Sequence, residues 1–202
     1  MKYILLLITL WYPLESERQK QSDSTNWELY IERQTEQFYS TKEYQRMILD
    51  ELCDYPVIFP VEKPECISSV FGWRKHPVTG VWKFHTGIDI PKAKGTPVYA
   101  TGNGIVIRRG YDSGYGIFIE IQHASGFSSF YAHLSRTTVN LGDSVHIAEQ
   151  IACVGNTGLS TGSHLHYEIR EGNRFLNPIK WCYCLLEAFN NGLLGENFIY
   201  LQ

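Results

Sequence analysis

The apolar positions follow two different periods along the chain. Before residue 56 they recur near helical spacing, at Trp27, Ile31 and Phe38 and again at Tyr44, Ile48 and Leu52. The stretches TNWE (25–28) and STKE (40–43) have the capping-box pattern that begins helices. Pro56 disfavours helical geometry in the residue before it and is expected to end the second helix. The pattern therefore predicts a charged helical arm over residues 16–55.

After residue 56 the apolar residues fall in short runs rich in β-branched and aromatic side chains. These runs read TPVYA (96–100), GIVIRRG (104–110), GIFIEIQH (116–123), FSSFYAHL (127–134) and HLHYEIR (164–170). Glycine-rich turns separate them, and all 17 glycines lie at or after Gly72. We expect a mainly β domain over residues 56–180, an antiparallel sandwich or barrel-like arrangement. Residues 181–202 are expected to pack back on this domain.

The N-terminal residues 1–15 begin with one lysine and a short apolar run. This run is too short to span a bilayer, and it fits a secretory signal peptide with a weak cleavage end. The alternative is a buried N-terminal segment. We therefore expect an exported protein without a stable membrane span.

Composition and charge narrow the class of partner. Hydrophobic residues make up 44% of the chain and the net charge is −3, which is typical of a globular domain and excludes a basic nucleic-acid-binding surface. The five cysteines include no C-x-x-C pair, so a cysteine-based structural zinc site is not expected. Cys53 and Cys66 form a conceivable disulfide in an exported chain. Small buried hydrophobes are the alternative for each cysteine.

Two segments contain residues that could bind a metal. In HLH, His164 and His166 share one face of a strand, and their side chains leave the backbone about 7 Å apart. In HTGID, a straight strand would hold His85 and Asp89 about 13 Å apart. Zinc needs its donors at about 2.0–2.2 Å, so we expect a bend, which Gly87 permits.

Together, His85, Asp89 and one member of the HLH pair supply two nitrogens and one oxygen. Three protein ligands and an open fourth position are typical of a catalytic zinc site. The other member of the pair and His133, in YAHL, are then available to accept a proton from water and to donate to a developing oxyanion. These residues alone do not decide which histidine of the pair binds the metal.

The same segments resemble the lysostaphin-type zinc metallo-endopeptidases, the LytM-like peptidoglycan hydrolases. The resemblance lies in HPVTGVWKFHTGIDI, GTPVYATGNGIV, FYAHLS and GNTGLSTGSHLHYEIR, and it extends from about Ser68 to Pro178. The ordered set H-x-x-x-D, Y-A-H-L and T-G-x-H-L-H is highly specific. Many members have asparagine after GYG and proline before HLH, where this chain has Ile117 and Ser163. These departures concern loop geometry and not the metal chemistry.

The resemblance implies one zinc ion held by His85, Asp89 and His166, with His133 and His164 as the catalytic histidines. It implies an endopeptidase that hydrolyses stem or cross-bridge peptides of bacterial peptidoglycan, in the periplasm or at the cell surface. The peptide bond that is cleaved and the identity of the general base stay open. The helical arm is a candidate surface for a protein partner.

Two other functions compete with this interpretation. The first is a catalytically silent scaffold of the same fold that binds peptidoglycan and activates a cell-wall amidase. All five polar positions are intact in this chain, which favours the enzyme. The second is a biotinyl or lipoyl carrier domain, which needs an exposed lysine at a hairpin tip. The segments GTPVYATGNGIVIRRG and VNLGDSVHIAEQIACVG look like the two halves of such a domain. Residues 111–140, where the lysine would be needed, contain none.

Some side chains carry weaker expectations. The aromatic residues Tyr115, Trp82 and Phe127 could line a substrate groove, with a core or strand-edge position as the alternative for each. His123 is expected at the end of a strand, and His76 and His146 are expected at the surface.

Overall fold

The computed structural model describes residues 52–62, 67–75 and 80–181. These residues form eleven strands: β1 (Gly72–Lys75), β2 (Trp82–His85), β3 (Ile88–Pro91), β4 (Pro97–Tyr99), β5 (Gly104–Asp112), β6 (Gly116–Gln122), β7 (Phe127–Thr137), β8 (Ser144–Val145), β9 (Gln150–Val154), β10 (His164–Glu171) and β11 (Arg174–Leu176). Residues 178–181 are helical, and the side chain of Asn177 accepts a hydrogen bond from the backbone N–H of Ile179 as an N-cap.

Nine strands form one antiparallel sheet, and β1 and β2 form a separate hairpin. The main path of the sheet runs β11–β10–β7–β6–β5–β8. Strand β3 pairs with the first half of β10, and β9 joins the second half of β7 and carries β4. The prediction of a mainly β, antiparallel fold is confirmed.

The two faces of the sheet have different chemistry because side chains alternate along a strand. On β10, Leu165, Tyr167 and Ile169 are fully buried in the main hydrophobic core. The intervening residues, from His164 to Arg170, are polar and lie on the other face. That second face also holds a small aromatic cluster of Tyr115, Phe118 and Phe130, packed against Ala132.

The described segment 52–62 packs along the core. Leu52 and Tyr55 are buried, and the Tyr55 ring lies 5.9 Å from that of Phe127. The backbone N–H of Val57 donates to the carbonyl of Thr101 at 2.9 Å. The segment therefore supports the turn before β5, although the sequence pattern assigned its first residues to the helical arm.

Several expectations lie on residues outside those described. They include the leader over residues 1–15, the arm helices up to residue 51, Cys66, His76 and the tail after Trp181. Trp181 itself is buried, with its ring 4.7 Å from that of Phe127. Among the described residues, no helix has both the length and the apolar character needed to cross a membrane.

Candidate metal centre and active site

Three side chains from three strands converge on one point. His85 ends β2, while Asp89 on β3 and His166 on β10 are directly paired across the sheet. Asp89 Oδ1 lies 2.8 Å from His166 Nδ1 and 3.2 Å from His85 Nε2, and the two nitrogens lie 3.1 Å apart. Donors about 2.1 Å from a tetrahedral ion lie about 3.4 Å apart. Among the described residues these three form the one group with metal-ligand geometry.

The segment between His85 and Asp89 bends as the metal hypothesis requires. Strand β2 ends at His85 and β3 begins at Ile88, so the chain changes direction at Thr86 and Gly87. A side chain at Gly87 would place its Cβ 2.2 Å from the carbonyl oxygen of Tyr167. Glycine is therefore required because the bend packs directly against the backbone of β10.

Each candidate ligand histidine has its second ring nitrogen occupied. The Nδ1–H of His85 donates to the carbonyl of Val70 at 2.9 Å, which leaves Nε2 for the metal. The Nε2–H of His166 donates to Oε1 of Glu168 at 2.9 Å, which leaves Nδ1 for the metal. A carbonyl or a carboxylate can only accept, so these contacts keep a proton on Nδ1 of His85 and on Nε2 of His166.

The charges of the site are strongly coupled. Burial alone would raise the pKa of Asp89, but hydrogen bonds and charge from His166 and His85 hold that pKa well below its usual range. Burial alone would lower the pKa of His166, but its contacts with Asp89 and Glu168 raise the pKa to about 9. A proton and a metal ion compete for Nδ1 of His166, so metal binding requires this proton to leave.

His133 and His164 lie beside the three donors. Their ring centroids are 4.6 Å apart, and the His133 ring lies 5.9 Å from the ring of His166. The Nδ1–H of His133 donates to the carbonyl of Thr157 at 2.8 Å, and that of His164 donates to the carbonyl of Gly162 at 2.9 Å. His164 Nε2 lies 3.7 Å from Asp89 Oδ1. The structure thus brings together all five residues that the sequence identified.

His133 reaches the site through an irregularity in β7. Its φ angle is +57°, a left-handed conformation that is uncommon for residues other than glycine. Ala132 pairs with β10, whereas Leu134 pairs with β9, so the strand changes partner at His133. The register with β6 also shifts here. Bulges of this kind redirect a side chain, and this one allows His133 to join a face that regular alternation would deny it.

The pKa of His133 reflects this partly enclosed position. Burial lowers it to about 4, although the hydrogen bond to Thr157 acts in the opposite direction. His133 is therefore neutral near pH 7, with Nδ1 protonated and Nε2 available as an acceptor.

Glu168 is a site residue that the sequence analysis missed. It follows His166 by two positions, so it lies on the same face of β10, and its side chain is fully buried. Arg170, Thr86 and Tyr115 all contact its carboxylate. The period of two that placed His164 and His166 on one face would also have identified Glu168.

The three aromatic residues considered for a groove have different positions. Phe127 is buried in the core, which excludes it from a groove. Tyr115 is half-buried, with its ring 5.6 Å from that of His166, and Trp82 is 67% exposed on β2. His123 directly follows β6, as expected, and His146 is exposed, as expected.

Comparison with known proteins agrees with this geometry. The model of a family described as peptidase family M23 matches residues 83–178. The solved structure of LytU is 34% identical, with a TM-score of 0.50, over 55% of this chain and 80% of LytU. The chain belongs to peptidase family M23. This membership confirms the resemblance to lysostaphin-type peptidases that the motifs indicated.

Two further relatives have informative names. The DD-carboxypeptidase/endopeptidase Mpg of Neisseria meningitidis is 46% identical over 113 residues, which cover 56% of this chain and 26% of Mpg. A zinc-containing peptidase from Vibrio cholerae is 39% identical, with a TM-score of 0.57, over 60% of this chain and 38% of that structure. The chain thus spans about a quarter of the length of the first curated relatives that it matches.

Proposed function

We propose that this M23 chain is a zinc-dependent endopeptidase that hydrolyses peptide bonds in the stem or cross-bridge peptides of bacterial peptidoglycan. The observation that carries the proposal is the convergence of His85 Nε2, Asp89 Oδ1 and His166 Nδ1 beside two further histidines. A relative named as a DD-carboxypeptidase/endopeptidase supports the substrate class. Such a substrate requires action in the cell envelope, in the periplasm or at the cell surface.

The donor set fits zinc. Two imidazole nitrogens and one carboxylate oxygen are the ligand types of catalytic zinc sites, and their spacing of 2.8–3.2 Å is close to that around a tetrahedral ion. His85, Asp89 and His166 would hold the ion and leave one position open. When bound, zinc supplies a Lewis acid that activates water and polarises a carbonyl.

In this proposal His133 and His164 move the protons. Each has Nδ1 engaged by a backbone carbonyl and so has Nε2 free, and Nε2 of His164 lies 3.7 Å from Asp89 Oδ1. One imidazole accepts a proton from the attacking water at Nε2. The other, protonated at Nε2, donates to the oxygen of the scissile carbonyl as its charge grows. The accepted proton then passes to the leaving amine.

The orientation of the two rings favours hydrolysis over a silent scaffold. A protein that only binds peptidoglycan has no need for two imidazoles whose Nδ1 atoms are both fixed by carbonyls. The competing prediction is the scaffold that activates an amidase. One measurement separates the two functions: only the endopeptidase breaks a peptide bond when purified.

Digestion of purified sacculi tests the proposal. The zinc-loaded chain should release fragments from sacculi of both diaminopimelate and lysine chemotypes or from one of them, and mass spectrometry of the fragments identifies the bond. Treatment with a chelator should abolish release, and added zinc should restore it. Unchanged sacculi with zinc demonstrably bound would contradict the endopeptidase proposal and favour the scaffold.

A further inference from the structure

The buried carboxylate of Glu168 contacts the outer nitrogen of a candidate metal ligand. Its Oε1 accepts the Nε2–H of His166 at 2.9 Å, on the side of the ring opposite to Asp89. The Glu168 side chain has no solvent exposure. Its Oε2 forms an ion pair with the Arg170 guanidinium, whose Nε lies 2.7 Å away, as expected of an ionised carboxylate. Burying a carboxylate is costly unless it is paired and hydrogen-bonded, as this one is.

Every other contact of Glu168 fixes its position. Arg170 Nε donates to Oε2 at 2.7 Å, Tyr115 donates to Oε1 at 3.2 Å, and the hydroxyl of Thr86 also donates to Oε1. The Arg170 guanidinium itself lies 4.3 Å above the Phe130 ring. Donors from Arg170, Tyr115 and Thr86 thus hold the carboxylate in place, with Oε1 2.9 Å from Nε2 of His166.

We propose that Glu168 is a positioning residue that holds His166 with Nε2 protonated and Nδ1 directed at the metal, and so sets the metal affinity of the site. This inference rests on the proposed function, because it needs His166 as a ligand. His85 differs in using a neutral backbone carbonyl for the same purpose. An ionised partner makes the imidazole a stronger ligand, and removal of such partners typically weakens metal binding about 10–100-fold.

The polar chain that holds Glu168 also contains a matched control. Glu120 is another buried carboxylate on the same face, and it accepts hydrogen bonds from Arg170 Nη1 at 3.0 Å and from Arg108 at 2.9 Å. It shares Arg170 with Glu168, but its hydrogen-bond partners among the described residues are Arg170, Arg108 and Ser128, none of which is a candidate metal ligand. Loss of its charge disturbs the same ion-pair chain without touching the ring of His166.

The test compares Glu168→Gln with Glu120→Gln in the full chain. Zinc dissociation constants are measured by competition with a chromophoric chelator, and bound Co²⁺ gives a spectrum that reports the ligand geometry. We expect Glu168→Gln to bind zinc about 10–100-fold more weakly, with an altered Co²⁺ spectrum, and Glu120→Gln to stay within about twofold of the wild type. Wild-type affinity in Glu168→Gln, or equal weakening in both variants, would overturn the proposal.

A measurement on the wild type covers the case in which Glu168→Gln does not fold. In the ¹⁵N-histidine-labelled, zinc-loaded chain, imidazole NMR should show His166 protonated at Nε2, with a deshielded and slowly exchanging proton, and His85 protonated at Nδ1. His166 protonated at Nδ1 instead would overturn the assignment. These readouts are independent of peptide hydrolysis. A chain that binds zinc in this way but leaves sacculi intact therefore contradicts the endopeptidase proposal alone.

Discussion

Four histidines of the site share one feature, which is that each has one ring nitrogen occupied by an acceptor. His85, His133 and His164 use Nδ1 against backbone carbonyls, and His166 uses Nε2 against Glu168. For His85, His164 and His166 the other ring nitrogen lies within 3.7 Å of Asp89 Oδ1. These acceptors hold the rings in fixed orientations, which reduces the ordering that catalysis would otherwise require.

At this scale the two kinds of histidine predict different losses. We expect His166→Ala to lose the metal and with it all hydrolysis, since Nδ1 is one of three converging donors. We expect His164→Ala to keep the metal and to lose turnover about 10²–10⁴-fold, the usual contribution of a proton-transfer group. Metal content and the rate of sacculus digestion measure the two effects separately.

The exposed His146 provides the control for both variants. His146→Ala should retain metal and turnover, which shows that the loss of a histidine alone does not impair the chain. Near-normal digestion by His164→Ala would contradict its catalytic role. Full zinc occupancy in His166→Ala would contradict its role as a ligand.

The residue types at the site could be predicted from the sequence, but their orientations could not. H-x-x-x-D and HLH give the donors, and alternation on a strand gives a common face for His164, His166 and Glu168. The left-handed conformation of His133 has no local signature, because YAHL reads as regular β structure. It arises where β7 exchanges one partner strand for another, which is a property of the sheet and not of the local sequence.

At the scale of elements, the sequence predicts the longer strands and misses most of the short ones. The five predicted strand segments correspond to β4, β5, β6, β7 and β10. The sequence pattern does not predict the short strands β1, β2, β3, β8, β9 and β11. Strands of two to five residues contain too few alternations to be recognised, and tertiary pairing stabilises them.

The bend at Gly87 gives a prediction at the element scale. In Gly87→Ala the new Cβ would lie 2.2 Å from the Tyr167 carbonyl oxygen and 2.8 Å from Glu168 Cγ, so β3 must move away from β10. We expect the free energy of unfolding to fall by about 1–3 kcal/mol, and zinc binding to weaken because Asp89 moves with β3. Denaturant titration and chelator competition measure these effects.

Gly110 on β5 is the matched glycine. A Cβ at Gly110 would make an ordinary contact, 3.5 Å from the Phe118 ring. Gly110→Ala should therefore leave both stability and zinc affinity close to those of the wild type. If Gly87→Ala behaved in the same way, the close packing of the bend against β10 would not be needed for the metal site.

His123 gives a second prediction at the element scale, because it joins three segments. It is buried after β6, with Nδ1 donating to the carbonyl of Asn103 at 2.7 Å and Nε2 accepting from the hydroxyl of Ser129 at 2.8 Å. Burial lowers its pKa below 6.5, against smaller opposing effects of Asn103 and Asp54. Below pH 6.5 the unfolded chain therefore takes up a proton that the folded protein resists.

The sign of the pH effect follows from this difference in proton uptake. Stability is unaffected by His123 above pH 6.5 and falls as the pH drops from 6.5 toward the lowered pKa of the folded state, by up to about 1.4 kcal/mol per pH unit. His123→Gln should therefore lose less stability than the wild type between pH 7.5 and pH 5, measured by denaturant titration. His146→Gln, at an exposed position, should keep the wild-type pH dependence. Equal pH dependence in all three proteins would contradict the assignment.

At the scale of the whole molecule, the apolar core and the candidate site lie on opposite faces of the sheet. One face packs the large apolar core, and the other holds the histidines and the ion-pair chain of Glu168, Arg170, Glu120 and Arg108. Strand alternation predicts two such faces and places Glu168 and Arg170 of β10 on the same one. Glu120 on β6 and Arg108 on β5 join them only through the order of strands in the sheet. Single-sequence patterns do not contain that order, so the ion-pair chain could not be predicted.

The beginning of the packed domain gives the last prediction. The sequence pattern placed Leu52 and Tyr55 in the helical arm, yet both are buried in the core, and the carbonyl of Cys53 accepts a hydrogen bond from the backbone N–H of Asn103. A chain that starts at residue 52 keeps these contacts, and a chain that starts at residue 57 loses them. Fully burying a large apolar side chain contributes about 1.5–3 kcal/mol. The shorter chain should therefore be less stable by about 3 kcal/mol or more in denaturant titration. Because the two chains differ only in residues 52–56, equal stability would mean that this segment contributes nothing to the core beneath the candidate metal ligands.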